Sequence, residues 1–154
     1  MRNIVNLGMQ CLIAAAVMPH GRAAVVEYQI ACPDLFDARN VHFNTMPQGW
    51  TPFAPSSLMV RTGRIMFGGP ETKSDVNPSS SVDSKYSSMA AWQLRNVPGL
   101  QKWLTCGYGA ASELTLSKII PQDVYACTVI TSKDLQANVT GVVAECLRDV
   151  KPQP

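Results

Sequence analysis

The chain has 154 residues, 46% of them hydrophobic, with 13 Lys and Arg against 11 Asp and Glu. This length is typical of one domain that can bury a core without the help of a metal. The small net charge of +2 and the lack of a basic stripe argue against nucleic acid or an anionic membrane surface as a partner.

The first residues have the three-part layout of a secretory signal peptide: an arginine near the start, the apolar run IVNLGMQCLIAAAVM, and the small, turn-forming residues PHGRAA. Gly21 and Ala23 fit the small-x-small rule, so we place the cut after Ala23, with Ala24 as the alternative. The apolar run is shorter than the ~20 residues that a membrane-spanning helix needs. Residues 1–23 are therefore predicted to be a signal peptide, and residues 24–154 an exported domain.

Removing this segment also removes Arg2 and Arg22, which leaves eleven basic against eleven acidic residues and a net charge near zero. No later apolar segment approaches spanning length. We expect a soluble periplasmic or secreted protein that is not inserted in the membrane.

Short β-rich segments separated by proline and glycine turns follow along the chain. The predicted strands are 25–32, 41–43, 58–67, 92–94, 100–108, 113–120 and 124–131. The segment 58–67 is either one long bent strand or two strands around Thr62-Gly63. In 100–108 alternation puts Trp103, Thr105 and Gly107 on one face and Lys102, Leu104, Cys106 and Tyr108 on the other.

Two other segments are harder to interpret. From Glu71 to Ser88 the chain is almost entirely polar, which predicts a long loop that is either functional or disordered. Residues 135–150 fit either a helix or a bent strand, because the spacing of the apolar residues is helical while valines favour strand and Gly141 disfavours helix. The fold class we predict is mainly β: a single-domain antiparallel sandwich or curled meander sheet, with one short C-terminal helix as an option.

The cysteines predict disulfide bonds. Cys11 leaves with the signal peptide, and an even number in an exported chain indicates two disulfides among Cys32, Cys106, Cys127 and Cys146. A zinc site requires more closely spaced cysteine pairs or nearby histidines. A catalytic thiol requires a base, and His42, the sole histidine of the exported domain, is the one candidate. Three pairings are open. We favour Cys106–Cys127 with Cys32–Cys146, because the first two lie in strand-like segments joined by a short connection.

The chemistry-bearing residues do not form a catalytic pattern. A triad lacks a convincing base, and no nucleophile elbow or phosphate-binding loop is present. Carboxylates such as Asp34 and Asp37, or Glu71 and Asp75, are interpreted as solvated surface rather than a glycosidase pair. The segment from Asp75 to Asp83 has oxygen ligands without the spacing of a calcium loop. The sequence therefore predicts no enzyme activity, no metal and no cofactor.

A disulfide-braced β scaffold holds its loops rigidly, which lowers the entropic cost of binding a partner. The proline-rich segment 46–55 carries two aromatics that we expect to fold over a sheet edge, with core packing as the alternative for the tryptophan. The polar loop carries both signs of charge. The candidate partner-binding residues are Trp50, Phe53, Glu71, Lys73, Asp75, Asp83 and Lys85.

Short motifs occur in a particular order: ACP, QGW before a proline-rich stretch, FGGP, WQL, WLTCGYG and IIPQDVYACTV. This order, from Cys32 to Val129, resembles a family of small exported proteobacterial proteins. Some of that family look like periplasmic immunity proteins, which bind and block a peptidoglycan-attacking toxin delivered by a type VI secretion system. The resemblance implies a protein-binding function with a cell-wall-degrading toxin, or another envelope protein, as partner. The alternative is an envelope structural or small-ligand-binding module, which predicts a concave apolar pocket.

Overall fold

The computed structural model describes residues 25–149 except residues 43, 54–56, 70, 72–73 and 96–98. The predicted signal peptide lies outside the described residues. The described part contains one short 3-10 helix, Ala38–Asn40, and ten strands. The strands are β1 (Val25–Ala31), β2 (Leu35–Phe36), β3 (Leu58–Phe67), β4 (Ser74–Asp75), β5 (Ser80–Asp83), β6 (Ser87–Gln93), β7 (Lys102–Tyr108), β8 (Leu114–Ile120), β9 (Val124–Lys133) and β10 (Val139–Asp149).

The strands form two antiparallel sheets that pack face to face. Sheet A has the order β1-β10-β9-β6-β5, and sheet B the order β2-β3-β7-β8, with the short β4 beside the end of β3. The β9–β10 hairpin therefore separates β1 from β6, so that the order is not a simple meander. The mainly β sandwich predicted from the sequence is confirmed.

Alternation along the strands decides which side chains enter the core. In β7, Leu104, Cys106 and Tyr108 are buried in the core between the sheets, and Trp103 and Thr105 lie on the opposite, outer face of sheet B. These are the two faces that the sequence predicts for this strand. Period-2 alternation is the property that lets one face of a sheet be apolar while the other carries polar groups.

The two sheets are in close contact at Gly63 of β3. A Cβ atom built on this glycine would lie 2.4 Å from Val142 Cγ1 of β10 and 3.0 Å from Val129 Cγ1 of β9. Both valines are buried. The absence of a side chain at position 63 thus lets β3 cross directly over sheet A.

The disulfide pairing differs from the one favoured on sequence. Cys32 bonds to Cys106, with 5.9 Å between their Cα atoms, and Cys127 bonds to Cys146, with 4.1 Å between theirs. The favoured pairing is wrong because Cys106 lies in sheet B and Cys127 in sheet A, whereas Cys127 and Cys146 are directly opposite each other in β9 and β10. One disulfide thus joins the two sheets, and the other staples neighbouring strands of sheet A.

Four other sequence interpretations are resolved or corrected by the structure. The tail, which the sequence leaves open between a helix and a bent strand, forms the strand β10 and not the optional short helix, because Val142, Ala144 and Cys146 alternate into the core. The polar segment 71–88 is not one long loop: it contains β4, β5 and the start of β6. Neither Val41 nor His42 is in a strand. The alternative at 58–67 resolves in favour of one long strand, which has a register shift between Val60 and Thr62.

Two buried polar side chains fasten the ends of β7. The Tyr108 hydroxyl donates to the Pro33 carbonyl oxygen at 2.8 Å. The Lys102 amine donates to the carbonyl oxygens of Gln122, at 3.1 Å, and Val124, at 2.5 Å, in the turn and strand that follow β8. Burial lowers the pKa of Lys102 and raises that of Tyr108. These bonds satisfy groups that would otherwise be costly to bury.

Candidate partner-binding surface

A cleft of about 290 Å³ opens on the outer face of sheet B. Its floor comes from β3, β7 and β8, and its walls from β4 and from the turn that joins β7 to β8. The lining residues are Arg64, Met66, Asp75, Thr105, Ser112, Glu113 and Thr115. We call these seven residues the sheet B cleft.

The strand register places polar residues of β3, β7 and β8 side by side in the floor of the cleft. Arg64 of β3 is directly opposite Thr105 of β7, which is opposite Ser117 of β8, so the three lie in one row across the sheet. The Thr105 and Ser117 hydroxyl oxygens are 3.0 Å apart and share a hydrogen bond. Thr105 is 3% exposed. The floor is therefore polar and already hydrogen-bonded within the protein.

The cleft is lined by two acidic side chains and one basic side chain. Arg64 Nη1 donates to Asp75 Oδ2 at 3.0 Å, which pairs one cation with one carboxylate. Glu113 accepts from the Ala111 backbone N–H at 3.2 Å. Within the described residues, no cationic side chain forms an ion pair with Glu113. The sheet B cleft therefore has a net charge of −1.

An apolar row borders the cleft on the same face. Met66, Trp103 and Ile119 are cross-strand neighbours in β3, β7 and β8. Met66 is buried, whereas Ile119 is 50% exposed. The indole nitrogen of Trp103 is buried and makes no hydrogen bond within the described part of the chain. The outer face of sheet B thus combines a charged cleft with an adjacent apolar strip.

The two aromatics predicted as partner contacts are exposed. Trp50 is 73% exposed and Phe53 is 91% exposed. The expectation that they fold over a sheet edge is therefore wrong, as is the alternative that Trp50 packs in the core. Large aromatic side chains that are open to solvent are enriched where proteins meet partners. A contact role for both residues stays a prediction.

The predicted polar contacts lie in two different parts of the sandwich. Asp75, in β4, lines the sheet B cleft, and Glu71 is exposed just before this strand. Asp83 ends β5 of sheet A, and Lys85 lies in the turn that follows. Lys73 lies outside the described residues. The structure therefore does not gather these residues into the single loop that the sequence suggests.

The β5–β6 hairpin has its own polar contacts. Lys133 Nζ of β9 donates to Asp83 Oδ1 at 2.6 Å, and this bond lowers the pKa of the aspartate. The Lys85 amine lies 5.3 Å from the centre of the Tyr86 ring, within reach of a cation–π contact. A notch of about 170 Å³ lies beside Asp83, between this hairpin and Gly63 of β3. It is smaller than the sheet B cleft.

Sequence reasoning missed most of the sheet B cleft. Arg64 lies between Gly63 and Ile65, which both face the core, and its place in this two-residue period is a usable signal for an outward-facing position. Glu113 and Ser112 come from the β7–β8 turn, and their approach to Arg64 depends on the strand register. Turn geometry and cross-strand register are not readable from one sequence with enough precision to assemble such a site.

Neither a metal-binding cluster nor a membrane-spanning helix occurs among the described residues. No three histidine, cysteine, aspartate or glutamate side chains there come close enough together to hold a metal ion. No helix in the described part of the chain is long and apolar enough to cross a bilayer.

Comparison with protein families matches residues 55–146 to the type VI secretion system Tli immunity proteins. The match includes β3 to β9, most of β10 and every residue of the sheet B cleft, whereas Trp50 and Phe53 precede it. Comparisons with curated proteins and with solved structures gave no match. Because the matched region is more than half of the chain, the chain belongs to the type VI secretion system Tli immunity protein family.

Proposed function

We propose that the protein is exported to the periplasm, where it binds a cognate type VI secretion toxin and blocks it sterically. The observation that carries this proposal is the family match over residues 55–146. The signal-peptide pattern of residues 1–23 supports the periplasmic location, and two disulfides suit an oxidising compartment.

The architecture supports inhibition by contact rather than by catalysis. A sandwich crosslinked between its sheets and within sheet A presents its surface groups in fixed positions, so little entropy is lost when a partner docks. Trp50 and Phe53 are already exposed in this arrangement. We propose that these aromatics and the outer face of sheet B contact the toxin and cover its active site.

The alternative of a small-ligand module is less well supported. It predicts a concave apolar pocket, whereas the sheet B cleft is lined by three charged side chains and three hydroxyls. Its volume of about 290 Å³ is at the lower limit for ligand pockets.

The proposal is tested in cells that export a candidate type VI toxin to the periplasm, with the candidates taken from the genes that neighbour this one. Co-expression of the full chain should restore growth, and a variant that lacks residues 2–23 should not, because it stays in the cytoplasm. A catalytically inactive toxin serves as the control for growth. Equal protection by both forms would contradict the periplasmic site of action, and no protection by the full chain would contradict the immunity function.

The resemblance implies that the toxin attacks peptidoglycan, a prediction that the family match does not address. Purified toxin should be incubated in parallel with peptidoglycan sacculi and with phospholipid vesicles. Release of muropeptides that stops on addition of this protein supports the prediction. Release of fatty acids alone would replace peptidoglycan by membrane lipid and leave the immunity function intact.

A further inference from the structure

The sheet B cleft has the properties of a pocket for a single side chain. Its volume of about 290 Å³ is small for a ligand that must be largely enclosed, but anchoring side chains at protein interfaces fill pockets of limited size. The cleft belongs to the region shared with the immunity family. It is therefore a candidate anchor point for a toxin.

The charge of the cleft selects the kind of side chain. Arg64 and Asp75 neutralise each other at 3.0 Å, and the Thr105 hydroxyl is hydrogen-bonded to Ser117. The Ser112 hydroxyl is likewise within 3.2 Å of the Thr62 hydroxyl. Glu113 is the group whose negative charge no described cation balances. A carboxylate can accept several hydrogen bonds, and the single one from Ala111 leaves acceptor capacity for a partner.

The remaining lining suits the stem of a long side chain. Met66 is the apolar residue of the cleft lining, and its neighbours Trp103 and Ile119 continue the apolar strip. Lysine and arginine lay their methylene stems along apolar surface while their charged ends reach polar groups. We propose that the sheet B cleft receives a lysine or arginine side chain of the toxin, with Glu113 as the carboxylate partner. This inference rests on the proposed function.

The first test compares charge variants in binding to an inactive toxin variant, measured by interferometry at low and high salt. Glu113→Gln keeps the size and an acceptor oxygen but removes the charge, and should raise Kd by at least about tenfold. Glu113→Lys should raise it by a further factor of about ten, because two cations then meet. The matched control is Glu27→Gln, an exposed glutamate on β1 of sheet A, which should change Kd less than about twofold.

A second variant has the opposite expected sign. Arg64→Gln removes the cation that neutralises Asp75, so the cleft becomes more negative. Association with the toxin should then be several times faster at low salt, and this gain should disappear at high salt. Damage to the fold would instead weaken binding for Arg64→Gln and Glu113→Gln alike, and thermal unfolding of each variant checks for it.

The outcomes distinguish a failure of the proposed function from a failure of the proposal for the cleft. If the unmodified protein does not bind the toxin, the proposed function fails. If the unmodified protein binds the toxin, and Glu113→Gln and Glu113→Lys both bind as tightly as it does, the proposal for the cleft is overturned while the immunity function stands. Restoration of Glu113→Lys binding by changing one basic toxin residue to glutamate would identify the inserted side chain.

Discussion

The two disulfides should contribute unequally to stability, and their loop sizes give the difference. The Cys32–Cys106 bond spans 74 residues, and in the chain-entropy model a loop of this size stabilises by about 4.4 kcal/mol. The Cys127–Cys146 bond spans 19 residues, which gives about 3.2 kcal/mol. All four cysteines are buried, so replacing either pair by alanine removes a similar packing contribution. The double variants should therefore differ by about 1 kcal/mol.

Urea unfolding of Cys32→Ala/Cys106→Ala and Cys127→Ala/Cys146→Ala measures this difference directly. Both variants should be measured in a stabilising osmolyte, so that each has a folded baseline. The pair that joins the two sheets should be the less stable variant. If the variant that lacks the bond between β9 and β10 lost as much or more, the loop-entropy reasoning would be refuted. Mass spectrometry of a non-reduced digest should find the same two bonds in the unmodified protein.

Three other predictions concern single positions. Gly63→Ala should lower the free energy of unfolding by about 1–3 kcal/mol, because its Cβ meets Val142, and adding Val142→Ala should recover part of the loss in urea unfolding. Ala137→Gly should raise that free energy by about 0.5–1 kcal/mol, since residue 137 has φ of +64°, and an unchanged urea midpoint would contradict this. The Asn138 amide and the backbone N–H groups of residues 136 and 138 donate hydrogen bonds to Asp134 and hold its pKa below 3.8. The ionised aspartate therefore stabilises the fold above the unfolded-state pKa, and this stabilisation is lost as the pH falls through the lower folded-state value. NMR titration should find the pKa of Asp134 below 3.8, and Asn138→Ala should raise this pKa. An unchanged pKa in the variant would argue against the Asn138 hydrogen bond as the cause.

The fold class was predictable because alternation survives in the strands that bury one face. In β7 the sequence pattern identifies both faces. In β10 the same information is present at Val142, Ala144 and Cys146, but the spacing of Val139, Val142, Val143 and Cys146 also fits a helix. Residues 139–149 form a strand because they pair with β9 on one side and with β1 on the other, and this pairing cannot be read from the spacing of the valines.

The polar segment and the disulfides could not be predicted because both depend on tertiary position. β5 is exposed at all four residues, so no apolar pattern marks it, and it forms by pairing with β6 at the edge of sheet A. The cysteine pairing follows from which sheet each strand joins. Proximity in the chain favoured Cys106 with Cys127, but the connection between them crosses from one sheet to the other.

The candidate site was only partly accessible from sequence. Asp75 was predicted as a contact and lines the sheet B cleft, but it was assigned to a loop rather than to a strand beside β3. Glu113 is a single carboxylate in a turn, with no local pattern that sets it apart from solvated surface. It lines the same cleft as the Arg64–Asp75 pair because of the register of β3, β7 and β8.

The most direct test of the immunity function is a titration of the active toxin with the purified oxidised domain. Toxin activity should fall linearly and reach zero at one equivalent, and calorimetry with an inactive toxin variant should give the same stoichiometry. Toxin activity that is unchanged by an excess of the domain, together with no heat of binding, would contradict the account.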